Sequence, residues 1–527
     1  MRSDCRSRLA QRIAPLVLAL AAALAPVAHA SASPAKGAIA WQVASSDAEV
    51  DKAFALAKQD GKPVFLYWGA VWCPPCNQVK ATLFNRPDFI ERSRAFVPVY
   101  VDGDKPGAQK VAARFKVSGY PTMVLFRPDG SEITRLPGEV DPQRYLLTLT
   151  SALDAQAPVK DLVERALRKQ PLTAQQWRLL AFYSWETDEQ QLVRTADLPK
   201  RLSELAAAVP SDLPLVRDRL AFKAANARSD ADDKKPDAAA LEADRRAVDR
   251  VLAAGPGSEE LSDLVFYYAE SMVKYLAPEG KERAALAHRW ESAMDRLLAA
   301  QSVSAAVRID ALDSRIALWK FEEGDTLSVA HRNEVLRDVA RIVAQATDRY
   351  ERQAVIPSAA HVLTAAGLID ESDKLLKAEL PRAVAPYYHM LVLAGNAKKR
   401  GDAQGALQWY EQAWKKSEGP ATRLQWGSGY VGNIIELTPG DVNRVSAAAG
   451  SVISALEPKN ETFFERNERT LQRMARKLTA WEGKDPARAK AVAKLRDQLA
   501  RTCARLPAKQ PGRANCDNVF SGAQASS

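Results

Sequence analysis

Cysteine is scarce in this chain, with five in 527 residues. That excludes a disulfide-dense mini-scaffold, in which cross-links stand in for a core. After the first 30 residues no apolar run is long enough to cross a bilayer, which takes about 20 residues. Charge of one sign is not concentrated either. The 74 Lys+Arg against 64 Asp+Glu leave a net +10 that is spread along the sequence. Such a distribution marks a solvated surface rather than a nucleic-acid footprint, so no nucleic-acid partner is expected. What remains is ordinary globular composition, 47% apolar and 26% charged, which rules out a disordered or collagen-like chain. At about 100–200 residues per domain, the length predicts two to four domains.

The first 30 residues read as an export signal. Arg2, Arg6, Arg8 and Arg12 precede an apolar run from Ile13 to Ala25, and Ala28-His29-Ala30 is a small-x-small cleavage site before Ser31. An uncleaved anchor is the alternative, but the run is short and Pro15 interrupts its start. Cleavage after Ala30 predicts an exported, periplasmic protein with no membrane span. Cys73, Cys76, Cys503 and Cys516 then remain as two close pairs in a compartment where close pairs form disulfides.

From residue 38 to about 156 the pattern alternates between helix and strand. Val50, Ala53, Phe54 and Ala57 fall on one helical face, and Gly61-Lys62-Pro63 ends that helix. Val64–Trp68, Phe96–Val101, Thr122–Phe126 and Ile133–Leu136 read as strands, with Pro98 pointing to an edge or a bulge. Pro128-Asp129-Gly130 is a hairpin turn. A helix opens at the Trp72-Cys73-Pro74-Pro75-Cys76 segment and runs to about Phe84. This predicts an α/β domain, a mixed sheet flanked by helices. From 158 to about 505 the strand pattern disappears and helical spacing takes over, so a large all-α domain is expected, with a C-terminal tail at 506–527. Gly367 and Gly401 are 34 residues apart, as are Ser372 and Ala406. With Leu393, Tyr410 and Ala413, the second unit resembles the tetratricopeptide repeat. The first is weaker, carrying Glu379 where Ala is expected. An irregular stack of helical hairpins is predicted, with an unrelated helical bundle as the alternative.

Two cysteines separated by two residues at a helix start place the first sulfur on an exposed turn. There the backbone donors and helix dipole stabilise a thiolate. Cys73 is that nucleophile and Cys76, one turn in, the resolving thiol. Pro74 and Pro75 fit the first turn, whose N–H groups lack intrahelical partners, yet they also remove two donors from Cys73. A zinc site would need more ligands than the sequence places near this pair, so no metal is expected. No cofactor is expected either. Trp68 is read as core, and His288, His331, His361 and His389 as surface or satisfied residues. Cys503 and Cys516 flank Pro507, Pro511 and Gly512 and read as a structural disulfide.

Residues 40 to about 153, roughly a fifth of the chain, resemble the thioredoxin superfamily. The resemblance rests on Trp72-Cys73-Pro74-Pro75-Cys76, on Tyr120-Pro121-Thr122, and on Asp129-Gly130 and Gly138. Trp41, Lys62-Pro63-Val64, Phe84 and Asp88-Phe89 are most similar to the branch holding the C-terminal domain of the periplasmic transmembrane thiol transporter. The resemblance implies a cis-proline at Pro121 facing the cysteines and a substrate groove lined by Trp72, Tyr120 and Pro121. One position departs from the pattern: Tyr67, six residues before Cys73, stands where thioredoxins carry a buried acid that helps deprotonate the second cysteine.

The expected function is therefore an exported thiol–disulfide oxidoreductase acting on protein substrates with disulfides or thiols. Reduction is favoured over oxidation, with the membrane thiol transporter as the electron donor that the resemblance implies. The alternative is a helical-repeat adaptor or chaperone carrying an accessory redox domain. In the first reading, a concave helical surface holds the substrate beside Cys73.

Overall fold

The computed structural model describes residues 38–521, except 72, 106, 118, 137–141, 156, 187, 189–190, 231–237, 255–258, 278 and 300–302. The export signal, Trp72 and Gly138 therefore lie outside the described residues.

The first region is a five-stranded sheet in the order β1-β3-β2-β4-β5, with β1 (Gln42–Ala44), β2 (Val64–Gly69), β3 (Val97–Asp102), β4 (Thr122–Phe126) and β5 (Glu132–Leu136). The first three strands run parallel, and β4 and β5 are antiparallel to their neighbours. Helix α1 (Asp47–Asp60) begins at a capping box between Ser46 and Glu49. It ends at Gly61, whose φ of +64° suits a residue without a β-carbon. Next come α2 (Pro74–Val79), α3 (Pro87–Arg92), α4 (Ala108–Phe115) and α5 (Pro142–Ala155). Helix α2 continues as one π-helical stretch, Lys80–Phe84, so the helix expected to reach Phe84 does so with a change of winding.

All six residues of β2 are buried, because its two faces serve two cores. Val64, Leu66 and Trp68 pack beneath α1 and α4, while Phe65 and Tyr67 pack with α2, α3 and α5. The second of these cores does not stop at α5. It runs without a break through Leu162, Trp177 and Leu205 to Ala224. The change near residue 157 is thus one of secondary structure, with the apolar interior continuing across it.

Two details differ from the sequence-based expectation. The three-residue β1 was not anticipated, and it makes β3 an interior strand despite Pro98. Val97 donates to the Pro63 carbonyl on the β2 side, so the nitrogen of Pro98 faces the other way. There β1 has not yet begun, since its first pair is Gln42 with Val99. The missing donor falls just off the end of the short strand.

Beyond residue 158 the described residues form helices with short connections. Arg349–Ala365 with Ile369–Glu379, and Pro386–Lys399 with Ala403–Lys416, form two successive helical hairpins in the 34-residue register. Gly367 and Gly401 turn at φ +80° and +78°, and Ser372 and Ala406 are both fully buried where helices meet. Glu379 occupies the place taken by Ala413 in the next unit, and it is buried. Arg352 neutralises it through two contacts of 2.8 and 2.7 Å. Among the described residues no helix is long and apolar enough to cross a membrane.

Candidate active site

Cys73 is the N-cap of α2 and Cys76 lies in its first turn. The two are joined as a disulfide, with Cα atoms 5.2 Å apart. The Cys76 amide donates to Cys73 Sγ at 3.2 Å. It is the donor left to the sulfur by a first turn that opens with two prolines. Asn77, fully buried, clamps the approach: its side-chain amide donates to the carbonyls of Val71 and Cys73 at 2.8 and 3.0 Å. No motif flagged Asn77; its type is unremarkable at a helix surface, and only burial reveals the role.

The Tyr120–Pro121 peptide is cis. Tyr120 stacks parallel on Trp68 with ring centroids 6.0 Å apart, which gives Trp68 a part in the site as well as in the core. Its hydroxyl accepts from Gln109 at 3.5 Å, and burial pushes the phenol pKa up. A β-carbon at Gly103 would run into that hydroxyl, so only glycine leaves room for it. Beneath the sheet's other face, Tyr67 is buried with its hydroxyl unpartnered. Burial raises its pKa well above the usual phenol value, and Asp102 and Tyr100 raise it further. Lys80, close to the same groups, has its pKa lowered by burial, against the pull of Asp102.

The exposed nucleophile expected at Cys73 is not what the fold presents. Cys73 is 2% exposed and Cys76 0%, because the helical region packs on them. Ala385, Tyr387, Met390 and Ala413 form one apolar cluster with Ala70 and both cysteines, and Trp409 and Trp426 lie at its margin. Polar contacts fasten the same junction. Asp104, just after β3, accepts from the Thr422 amide at 3.0 Å and from the Thr422 hydroxyl. Thr422 lies in the first turn of helix Pro420–Leu437, so the carboxylate caps that helix from the other region. Burial pushes the Asp104 pKa up to about 6, while the Thr422 bonds oppose the rise. The Arg466 guanidinium lies 4.7 Å from the Tyr120 ring.

A thioredoxin-like domain family model matches residues 50–153. Over 92 residues the chain is 32% identical to a thioredoxin of Mycolicibacterium smegmatis, covering 18% of this chain and 80% of that protein. The chain belongs to the thioredoxin family. It is also 32% identical over 120 residues to the thiol:disulfide interchange protein DsbD of Pseudomonas fluorescens, covering 22% of this chain and 21% of the relative. It thus spans about a fifth of the length of the DsbD proteins it matches. The solved structure of oxidised thioredoxin O2 from Arabidopsis thaliana aligns at 24% identity over 23% of this chain and 97% of that one, with a TM-score of 0.19.

The thioredoxin domain therefore brings together Cys73, Cys76, Tyr120 and Pro121, while Trp72 is outside the described residues. Cys503 and Cys516 lie far along the chain in a separate apolar core with Phe463, Leu506 and Val519, also joined as a disulfide. The histidines divide. His288 pairs with Glu291 and Glu322 at the surface. His331 stacks on Trp319 and pairs with Glu323, and His361 lies 4.0 Å from Asp313. His389 corrects the expectation of a surface residue: it is fully buried, and burial lowers its pKa to about 4 against the opposing pull of Glu379 and the Ala385 backbone.

Proposed function

We infer that this protein is a thiol–disulfide oxidoreductase, with Cys73 as nucleophile and Cys76 as resolving thiol. The observation that carries the reading is a disulfide at a helix N-terminus inside a thioredoxin domain that also holds a cis Tyr120–Pro121 loop. In the reducing direction, the Cys73 thiolate attacks a substrate disulfide and forms a mixed disulfide. Cys76 then attacks Cys73 and releases the reduced substrate. The kinship with DsbD favours this direction, an exported location and a membrane thiol transporter as electron donor. Trp72, Tyr120 and Pro121 would line the docking groove, and the Cys503–Cys516 bridge would hold the C-terminal helix Pro511–Asp517 in place. The domain limits 38–156 and 158–505 and the tetratricopeptide-like character of the hairpins belong to the same proposal.

The helical region expected to hold a substrate beside Cys73 packs on the two cysteines themselves. A folded protein substrate reaches the sulfurs only if the two regions separate. That packing favours a second reading, a helical adaptor in which the thioredoxin domain is a structural part. Turnover decides between them. With dithiothreitol as donor, the full chain should catalyse reduction of a small disulfide above the uncatalysed rate, and Cys73→Ser should fall to background. Equal rates in both proteins would favour the adaptor.

A further inference from the structure

A cavity of about 330 Å³ reaches the cysteine helix at Pro75 and is floored by the cis-proline loop, Gly119–Thr122. That volume is at the lower end of small-ligand pockets, about 300–1,000 Å³. Its far wall comes from the helical region, chiefly Arg219 and Lys223, one turn apart on helix Pro214–Ser229. Both side chains are buried, at 6% and 7% exposure. Arg219 makes a two-pronged pair with Asp263 at 2.8 and 2.6 Å. Lys223 donates to Glu186 and to the Tyr268 hydroxyl, both at 2.7 Å.

Stability does not explain these charges, since apolar residues of similar volume usually serve a buried position as well or better. Buried ionised side chains lining a cavity that reaches the cysteine helix at Pro75, between the two cysteines in sequence, are instead the mark of a binding wall. The wall carries Lys116, Arg135, Arg219 and Lys223 against Glu186 and Asp263, and with Glu132, the partner of Arg135, the balance is 4 − 3 = +1. Arg135 is held by Glu132 at 2.9 Å. Lys116 has no ion-pair partner among the described residues and supplies the remaining excess.

The geometry points to this cavity as the port through which the closed molecule takes small disulfides carrying carboxylates, in preference to folded proteins. The inference rests on the oxidoreductase reading. In the reaction, the reduced Cys73 thiolate attacks one sulfur of R–S–S–R. The Cys73–SR bond forms, the ligand's S–S bond breaks, and the leaving thiolate takes a proton from water. Cys76, losing its proton, attacks Cys73 and expels the second thiolate. Two electrons pass from the cysteine pair to the ligand, and the Cys73–Cys76 disulfide is restored.

The test uses full-length protein reduced with dithiothreitol and freed of it. Its oxidation is timed with three disulfides of similar size: dithiodipropionate (dianionic), hydroxyethyl disulfide (neutral) and cystamine (dicationic). Each rate is divided by that of the same disulfide with free dithiothreitol. Focusing by the charged wall predicts that dithiodipropionate outpaces cystamine by about tenfold or more. The ratio should fall severalfold in Lys223→Gln and also in Lys116→Gln, an exposed position that leaves folding undisturbed. Insulin should react at least about tenfold more slowly than dithiodipropionate, because its disulfides belong to a folded surface. A normalised ratio near one, a ratio unmoved by both substitutions, or insulin matching dithiodipropionate would each overturn the inference. If none of the small disulfides reacts, the oxidoreductase reading fails and this inference fails with it.

Discussion

Among the described residues there are two disulfides, and burial does not tell them apart. Cys73 and Cys76 are 2% and 0% exposed, and Cys503 and Cys516 1% each. Their surroundings do. The C-terminal pair closes a chain segment containing Pro507 and Pro511, and its sulfurs lie among apolar side chains, including Phe463, Leu506 and Val519, a setting that disfavours a thiolate. The N-terminal pair sits at a helix start, with an amide aimed at Cys73 Sγ, a clamped approach, a cis-proline loop and a cavity that reaches its helix at Pro75. Reactivity follows from what stabilises the charged sulfur, and access is a separate property that a neighbouring region can withhold.

The sharpest way to break this comparison is substitution of each pair in turn. Cys73→Ser should abolish disulfide exchange to background, whereas a Cys503→Ala, Cys516→Ala double variant should exchange normally, both read by small-disulfide turnover. That double variant should instead lose stability, about 3 kcal/mol for a loop of this length, seen as a lower urea midpoint. A third variant addresses access. Met390 packs on the cysteine cluster, and Met390→Ala should cost about 2 kcal/mol by leaving a cavity. It should also speed alkylation of reduced Cys73 severalfold, while leaving alkylation of unfolded protein unchanged.

The smallest effect concerns the hairpin that covers the site. His389 has its pKa lowered from 6.5 to about 4, so the unfolded chain binds its proton first as pH falls. Stability from this group is present above pH 6.5 and is lost progressively down to about pH 4. Between pH 7 and about pH 5.5 the loss should be about 1 kcal/mol. Asp104 opposes it, because its raised folded pKa makes the native state bind the extra proton below about pH 6. His389→Gln should therefore make the protein more resistant to acid than the parent, as read from urea midpoints at the two pH values.

Much of the thioredoxin domain is legible in the sequence because its signals are local. Val64–Trp68 is a continuous apolar run, Gly61 and Gly130 sit where positive φ is needed, and the spacing of Cys73, Cys76 and Pro121 marks the thioredoxin motif. The 34-residue recurrence of Gly367 and Gly401 exposed two hairpins for the same reason. What escaped is long-range. β1 is three residues long and shows no alternation of its own. Asn77 and His389 acquire their roles only through burial. The covering of the cysteines brings residues about 310 positions apart into one cluster, and no periodicity in either segment announces it. The core that runs past residue 157 belongs to the same class, and a fragment cut there would expose the apolar surface that Leu162 and Trp177 cover.

The central claim is that the covered pair is the redox couple and the C-terminal pair is not. The direct measurement is equilibration of native full-length protein in graded dithiothreitol redox buffers, followed by acid quenching, alkylation and mass mapping of each cysteine. The account predicts that Cys73 and Cys76 become alkylated together as one two-electron transition, while Cys503 and Cys516 stay bonded until the protein unfolds. Reduction of both pairs over the same range, or a Cys73–Cys76 bond that resists reduction until unfolding, would contradict it.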